Sequence, residues 1–472
     1  MASSRPCSAG RVVADNRAVL ALAGGVAANA GALPLDAVYE ILLRLPGKDL
    51  CRLRAVCRPW RSLLSAPAFA AAHADRHRDP LIVAGYATRT SRGGVLYAIL
   101  DLVSGRVVVR RRVHAAATSA GAGETAAAEN EWVASTGLGL VCVVSEGAGV
   151  SCRLLDPAAT AGGGGGAQLP RGLAAEHAAH EREISHHAAM VALGEVAATG
   201  ERKVLRVLHL FPDMSRQLYE IITLEIGGTG SRSRWRKTVD PTHNVQLGTW
   251  AVVGSIVYFF SSEFVQGQDV MPDRIASFDL ETEEWRPTMR GPVSSISTLA
   301  ADIPINHLDW GEFSLAAMNG GLVMTHRKIA SSMDLWFLMD SEKGLWIKKH
   351  VLQLSIRYQH GEHTVRPLLV LDDGRIVLAH IGNRGALKIY DPRTSSSTDV
   401  AELGPCVTVG LYNGSVLSLG NGVSFFFLNG RQEICRIFIR RRKKNKKGYK
   451  KSDWYNGGCA QIETHKNATT NN

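Results

Sequence analysis

The sequence predicts an α+β chain in two parts: a small three-helix module near the N-terminus, followed by an all-β repeat domain of propeller type. Three observations predict it. Residues 33–69 carry apolar side chains at helical spacing, punctuated by prolines. From residue 80 the texture changes to short β-rich runs separated by glycine-bearing turns. Aspartates end several of these runs at a recurring interval, the mark of a repeated unit.

At 472 residues the chain has room for several average domains, or for one large repeat domain plus a module. Its formal charge of +11 suggests a nucleic-acid binder until the charge is located. "RRRKKNKKGYKK", residues 440–451, holds nine Lys/Arg and no acid, which leaves 45 basic against 43 acidic residues elsewhere. The basic character belongs to a tail, expected to be disordered over 440–472, and not to a binding face. The eight cysteines form no C-x-x-C pair, so a zinc framework has no support and free thiols are expected. No apolar run reaches the roughly 18 residues of a membrane span. "AVLALAGGVAANAGA" (18–32) has the look of a signal-peptide core, but it is mostly Ala and Gly, and Asp15 interrupts the basic region before it. A disordered Ala/Gly leader over 1–32 is the expectation.

"LPLDAVYEILLRLPGKDLCRLRAVCRPWRSLLSAPAF" (33–69) divides into three helices: Pro34 starts the first, Pro46-Gly47 interrupts it, and Pro67 closes the third. On a wheel of about 100° per residue, Leu35, Val38, Tyr39, Ile41, Leu42, Leu43 and Leu45 fill an arc of about 200°. A surface helix needs an apolar stripe of only about 100°. A unit of this size buries little of its own surface, yet it is apolar on more than one face. A protein partner covering the second face explains the excess, and the composition, aliphatic and aromatic with arginine at the edge, is that of an interface. The expected contact residues are Leu33, Pro34, Ile41, Leu42, Leu45, Leu50, Leu53, Val56, Cys57, Trp60 and Leu63.

Leu33-Pro34, Ile41-Leu42, Leu45-Pro46, Leu50, Arg54, Val56-Cys57-Arg58, Trp60-Arg61 and Phe69 together resemble the F-box motif. The resemblance implies docking on a Skp-type adaptor and, through it, on a cullin scaffold. Pro59 replaces the small polar residue often found before the Trp, which the first turn of a helix tolerates. The rival is a helix-turn-helix that reads DNA with its third helix. Arg52, Arg54, Arg58 and Arg61 would permit it, but Asn, Gln and Lys base-readers are missing, so nucleic acid is not an expected partner.

Residues 70–79, "AAAHADRHRD", read as a linker, which gives a module and linker over 33–79 and a β domain over 80–439. The strands include "LIVAGY", "VLYAIL", "GLVCVV", "VLRVLHLF", "SIVYFF", "LWFLM", "RIVLAHI", "SVLSL" and "VSFFFL". Asp101, Asp156, Asp279 and Asp391 each lead a turn at a strand end, where the carboxylate suits a backbone N–H two residues on; Asp340 fits the pattern less fully. The intervals 101–156, 279–340 and 340–391 are 55, 61 and 51 residues, and the 123 residues between 156 and 279 leave room for one degenerate unit near "LYEIITLEIGGTGSRSRWRK". That period is kelch-like and implies about six blades, with a β-sandwich carrying long insertions as the alternative. "VASTGLGLVCVV…LLDPAAT", "VGSIVYFF…IASFDLETEEWRP", "DLWFLMDSEKGLWIKKHVL" and "LVLDDGRIVLAHIGNRGALKIYDPRT" also resemble the F-box-associated domain of plant F-box proteins.

Catalytic signatures are missing: the sequence has no P-loop, no G-x-S-x-G and no dinucleotide fingerprint. "EHAAHEREISHH" offers His177, His180, His186 and His187, but without H-E-x-x-H it reads as a polar surface helix or loop. Trp235, Trp285, Trp310, Trp336 and Trp346 read as blade packing. No cofactor, metal or catalytic residue is expected. The resemblance implies the substrate-recognition subunit of a Skp–cullin–F-box ubiquitin ligase, with the β domain binding a target protein of unknown identity. The alternative is a nuclear nucleic-acid-binding or kelch-like scaffold protein outside ubiquitination. Arg440, Arg441, Arg442, Lys443, Lys444, Lys446 and Lys447 form a candidate nuclear-import signal, so nucleus, cytoplasm or both is the expected location.

Overall fold

The structure, a computed structural model, describes residues 34–45, 47–77, 80–86, 94–113, 130–147, 149–157, 166–211, 213, 216–224, 233–261, 273–297, 312–328, 332–354, 363–412 and 417. Four helices come first: α1 (Leu35–Leu43), α2 (Gly47–Leu53), α3 (Arg58–Leu64) and α4 (Pro67–Arg76). The fourth corrects the expectation of three. Pro67 opens α4 in its first turn, where no N–H is required, and does not merely close α3. The Ala-rich "PAFAAAHADR" has high helix propensity, so the expected linker is helical through Arg76. A short α5 (Pro292–Ser297) lies within the β domain.

The β domain is six antiparallel sheets. The second consists of β4 (Asn130–Gly137), β5 (Leu140–Gly147), β6 (Gly149–Leu155) and β7 (Gly166–Gln168). The third is β8 (Ile184–Glu195), β9 (Arg202–Leu210), β10 (Gln217–Leu224) and β11 (Arg236–Lys237), which fills the 123-residue interval. The fourth is β12 (Val245–Val253), β13 (Ile256–Ser261), β14 (Ile275–Asp279) and β15 (Glu284–Met289). The fifth is β16 (Glu312–Met318), β17 (Gly321–Arg327), β18 (Ser332–Asp340) and β19 (Leu345–Gln353). The sixth is β20 (His363–Val370), β21 (Ile376–Asp391) and β22 (Ser396–Cys406). Although this sheet has three strands, β21 folds back on itself. A Cβ on Gly385 would lie 3.2 Å from the His380 carbonyl oxygen, and Asp373 and Asp391, at opposite ends of β21, each feel the other's arginine, Arg393 and Arg375.

The first sheet closes the ring. β1 (Leu81–Tyr86), β2 (Val95–Asp101) and β3 (Val107–Val113) pair with the last strand, β23 (Thr408–Tyr412), in the order β23-β1-β2-β3. Leu81 is the register partner of both Asp101 and Tyr412. Inner strands of successive blades touch in the order β23, β4, β8, β12, β16, β20, and the sixth blade returns to the first through β21 with β23 and β22 with β1. The fold is a six-bladed propeller.

Six apolar cores lie one between each pair of neighbouring blades. Val83, Tyr97, Val133 and Val143 join the first two; Val144, Val191 and Leu208 the second and third; Val207, Phe259 and Phe278 the third and fourth. Tyr258, Phe260, Met324 and Trp336 join the fourth and fifth, Leu335, Leu352, Leu378 and Tyr390 the fifth and sixth, and Ala84, Leu100, Val377 and Leu387 the sixth and first. Because successive strand residues face opposite sides, every central strand is buried on both and reads as a continuous apolar run.

The aspartate turns form as the repeat implies. Asp101, Asp279 and Asp391 accept from the backbone N–H groups of Val103, Glu281 and Arg393 at 3.1, 2.9 and 2.9 Å. Asp340 does more than expected, accepting from both Glu342 and Lys343 at 3.0 Å. The last described strand ends at Tyr412, so "VSFFFL" and "EICRIFI" lie outside the described residues, as do 1–32 and 440–472. Leu417 of "SVLSL" is buried among the helices and extends no blade.

The ring closes tightly. A Cβ on Gly85 would lie 2.4 Å from that of Val133 in the second blade, too close to be accommodated without backbone movement. Gly85→Ala should therefore lower stability by about 1–3 kcal/mol, the usual cost of overpacking. Equilibrium denaturation checks this; an unchanged midpoint would mean the seam between first and second blades is looser than described.

Candidate functional site

The helical module is built around Leu42, Leu43, Leu50, Leu64, Phe69 and Ala70, all buried, with Leu417 completing the cluster. Tyr39 stands edge-on to Phe69 at 5.1 Å between ring centroids, joining α1 to α4. Two polar devices fix the helix ends. Arg54, itself 6% exposed, donates through Nε and a terminal nitrogen to the Leu64 carbonyl at 3.1 and 2.5 Å, and to the Leu417 carbonyl at 2.5 Å. It thus places a cation at the C-terminus of α3, where the helix dipole favours one. His73 and His77 of α4 meet the Leu45 and Leu43 carbonyls at 2.9 and 2.8 Å, satisfying the end of α1. Their rings stack at 4.2 Å.

The expected contact residues divide into two groups. Leu42 and Leu50 are 2% and 0% exposed and belong to the module's own core. Ile41 and Val56 are 47% and 65% exposed, and Pro34 and Cys57 are exposed as well. Leu45, Leu53, Trp60 and Leu63 are half-buried, packed on the core with one side outward. Leu33 lies outside the described residues. Of the four arginines, Arg54 is internal, Arg61 donates to the Arg54 carbonyl, Arg52 pairs with Asp49, and Arg58 is exposed at the start of α3.

The histidine cluster opens on a mostly exposed helical turn, Ala175–His180, in keeping with the polar surface helix or loop the sequence suggests, but His177 turns inward. His177 is 4% exposed and its Nδ1 lies 2.8 Å from Oε1 of Glu220, which also accepts from the Ala174 N–H at 2.8 Å. Arg206 donates through Nε to Glu220 at 2.7 Å, and Trp235 covers the guanidinium at 3.8 Å. This buried group bolts the segment before β8 onto the third blade. Sequence reasoning missed it because Glu220 and Arg206 sit inside strongly apolar strands. His180 pairs with Glu183 at 3.2 Å, and the side chains of His186 and His187 lie outside the described residues. Among the described residues no group of three or more His, Cys, Asp or Glu side chains is placed to hold a metal ion. Trp235, Trp285, Trp336 and Trp346 pack against blade cores, while Trp310 lies outside the described residues. Cys51, Cys57, Cys142, Cys152 and Cys406 are free thiols. No described helix is long and apolar enough to cross a membrane.

A four-helix module with an outward apolar residue set is joined to a six-bladed propeller. Residues 32–70 match the F-box domain family, so the chain carries an F-box. Its curated relatives are plant F-box proteins. An F-box/kelch-repeat protein of Arabidopsis thaliana is 57% identical over 42 residues, covering 9% of this chain and 12% of its own length. A putative F-box protein from the same plant is 54% identical over 37 residues, 8% of this chain and 10% of that one. The chain thus spans about a tenth of those two. An Arabidopsis F-box protein matches at 22% identity over 409 residues, 80% of this chain and 89% of the relative, so the likeness extends through the propeller.

Two consequences are measurable. Arg54→Met should destabilise the module strongly, since hydrogen bonds to charged groups contribute about 1.5–3 kcal/mol and two buried carbonyls lose theirs; chemical denaturation reads the loss. Burial, partly opposed by the Leu45 bond, lowers the pKa of His73. The unfolded chain then binds more protons than the folded one, so the contribution is complete above the ordinary histidine value of about 6.5 and is lost as pH falls below it. Melts between about pH 8 and pH 5.5 should show stability falling with acid, less steeply in His73→Gln. Identical slopes would contradict this role.

Proposed function

We propose that this chain is the substrate receptor of a Skp–cullin–F-box ubiquitin ligase, with the adaptor on its helical module and a target protein on its propeller. The observation that carries the reading is the exposure of Ile41 and Val56 on a module whose own core is already complete. A second apolar face on so small a unit calls for a covering partner, and the F-box match supports a Skp-type adaptor in that place. Ubiquitin transfer then resides in other subunits, and this chain supplies geometry: one end held by the adaptor, the other presenting the target.

Because Leu42 and Leu50 are internal, truncating them tests folding more than docking; Leu→Ala at such sites costs about 2–5 kcal/mol of stability. Ile41→Asp with Val56→Asp is the sharper test, since both side chains point to solvent. The double variant should keep the melting curve of the parent and lose adaptor binding by about thirtyfold or more, as buried interface anchors contribute about 2 kcal/mol each. Undiminished adaptor pull-down by the folded variant would refute the docking surface.

We also propose that Arg440, Arg441, Arg442, Lys443, Lys444, Lys446 and Lys447, which lie outside the described residues, direct part of the protein to the nucleus. Replacing the four lysines with alanine should move a fluorescent fusion toward the cytoplasm while adaptor binding persists. An unaltered distribution would remove this reading.

A further inference from the structure

The inner strands β4, β8, β12, β16, β20 and β23 surround the propeller axis. Of their described side chains, four are acidic or basic: Glu131, Glu195, Glu312 and Arg366. Each carboxylate is tied to an arginine of its own blade: Glu131 to Arg153, Glu195 to Arg202 at 3.3 Å, and Glu312 to Arg327 at 2.8 Å. Arg366 is different. Its guanidinium donates to the Trp250 carbonyl at 3.1 Å. Trp250 belongs to β12 and Arg366 to β20, two blades apart, so the side chain reaches across the axis. No carboxylate meets it among the described residues.

Arg366 is surrounded by protein, and desolvation holds its pKa below the ordinary arginine value with no neighbouring charge in opposition. Yet it is only half-buried by solvent exposure, and none of its nitrogens is a sealed, unbonded atom. Partial solvent contact on an inner strand fits a side chain at the central channel of a propeller. Guanidinium has five N–H donors, and the bond to the Trp250 carbonyl uses one of them. Keeping a desolvated cation where no carboxylate meets it among the described residues costs free energy. Carboxylate and phosphate are the groups whose geometry matches the fork.

We propose that the central channel is a binding site for an oxyanion, a phosphate or carboxylate group held by Arg366. Two sources carry that chemistry, a free small anion and an acidic side chain inserted by a protein target. The site is independent of adaptor docking and stands whether or not the ubiquitin-ligase reading does.

The test uses the full chain with its adaptor bound, or the full chain alone if no adaptor binds. Inorganic phosphate, titrated against sodium chloride at matched ionic strength, should raise the Tm of the parent saturably, and Arg366→Gln should lose the shift. A rise that never saturates, or one equal in parent and variant, overturns the proposal. Should Arg366→Gln fail to fold, Arg366→Lys decides. A lysine keeps the charge but loses the planar fork, so phosphate affinity should fall about tenfold or more, and unchanged affinity overturns the assignment. A second arm adds a short labelled Asp-rich peptide and its Asn counterpart. Binding of the acidic peptide alone, competed by phosphate and lost in Arg366→Gln, supports the site and assigns it to a protein target. Phosphate binding without peptide binding supports it and assigns it to a free anion. Binding of neither by the parent overturns it.

Discussion

Between Leu81 and Tyr412 the chain pairs its first strand with its last, and the rest of the arrangement depends on that one ladder. An open stack of six sheets would leave two apolar faces, those of the first and sixth blades, against water. Closing the ring buries both in one more core, containing Ala84, Leu100, Val377 and Leu387. A buried Leu or Val contributes about 1.5–3 kcal/mol when removed from water, so an unclosed ring would forfeit an entire blade interface. The closure also places Val133 against Gly85 and Thr136 against Gly410, positions where only glycine lets the second blade approach.

The same ladder brings the two ends of the propeller to one place. Residue 80 leads from the helices into β1, and Tyr412 leaves β23 opposite Leu81. Five residues on, Leu417 is buried in the helical core and its carbonyl receives Arg54. The F-box helices are therefore completed by a residue more than three hundred positions away in sequence, held there because the ring is closed. A module too small for comfortable independence gains both an apolar side chain and a partner for its buried cation. The two parts are thus joined twice, through residue 80 into β1 and through Leu417 in the helical core.

Much of this was legible in the residues. The F-box constellation, the glycine turns and the aspartate period located the module and the repeat, and the 123-residue interval did contain the third blade. What was not legible follows from what patterns record. Asp340 looked like the weak member of its series because a motif records residue types, whereas backbone N–H direction decides the turn. The apolar arc of α1 announced two buried faces without saying which faced the molecule. Leu42 turned inward and Ile41 outward, a choice set by where α4 and Leu417 pack. His177 read as surface because its neighbours are polar; its partner Glu220 is 43 residues on, and no local pattern carries that distance.

Strand direction then separates two kinds of loop. Of the five turns joining an inner strand to the next, Leu138-Gly139, Gly254-Ser255 and Asn319-Gly320 are two residues long and the others, 196–201 and 371–375, are six and five; all lie at the end where the helical module enters. At the other end the strand termini are farther apart in sequence: sixteen residues separate β3 from β4, thirteen separate β13 from β14, and twenty-two separate β15 from β16. Short turns are dictated by the hairpin and leave little room for variation. Long connections on a rigid scaffold are where binding residues accumulate. The end remote from the helical module therefore holds the longest connections and the most freedom to vary, while three of the turns at the module's end are set by hairpin geometry and β1 is held there by ring closure.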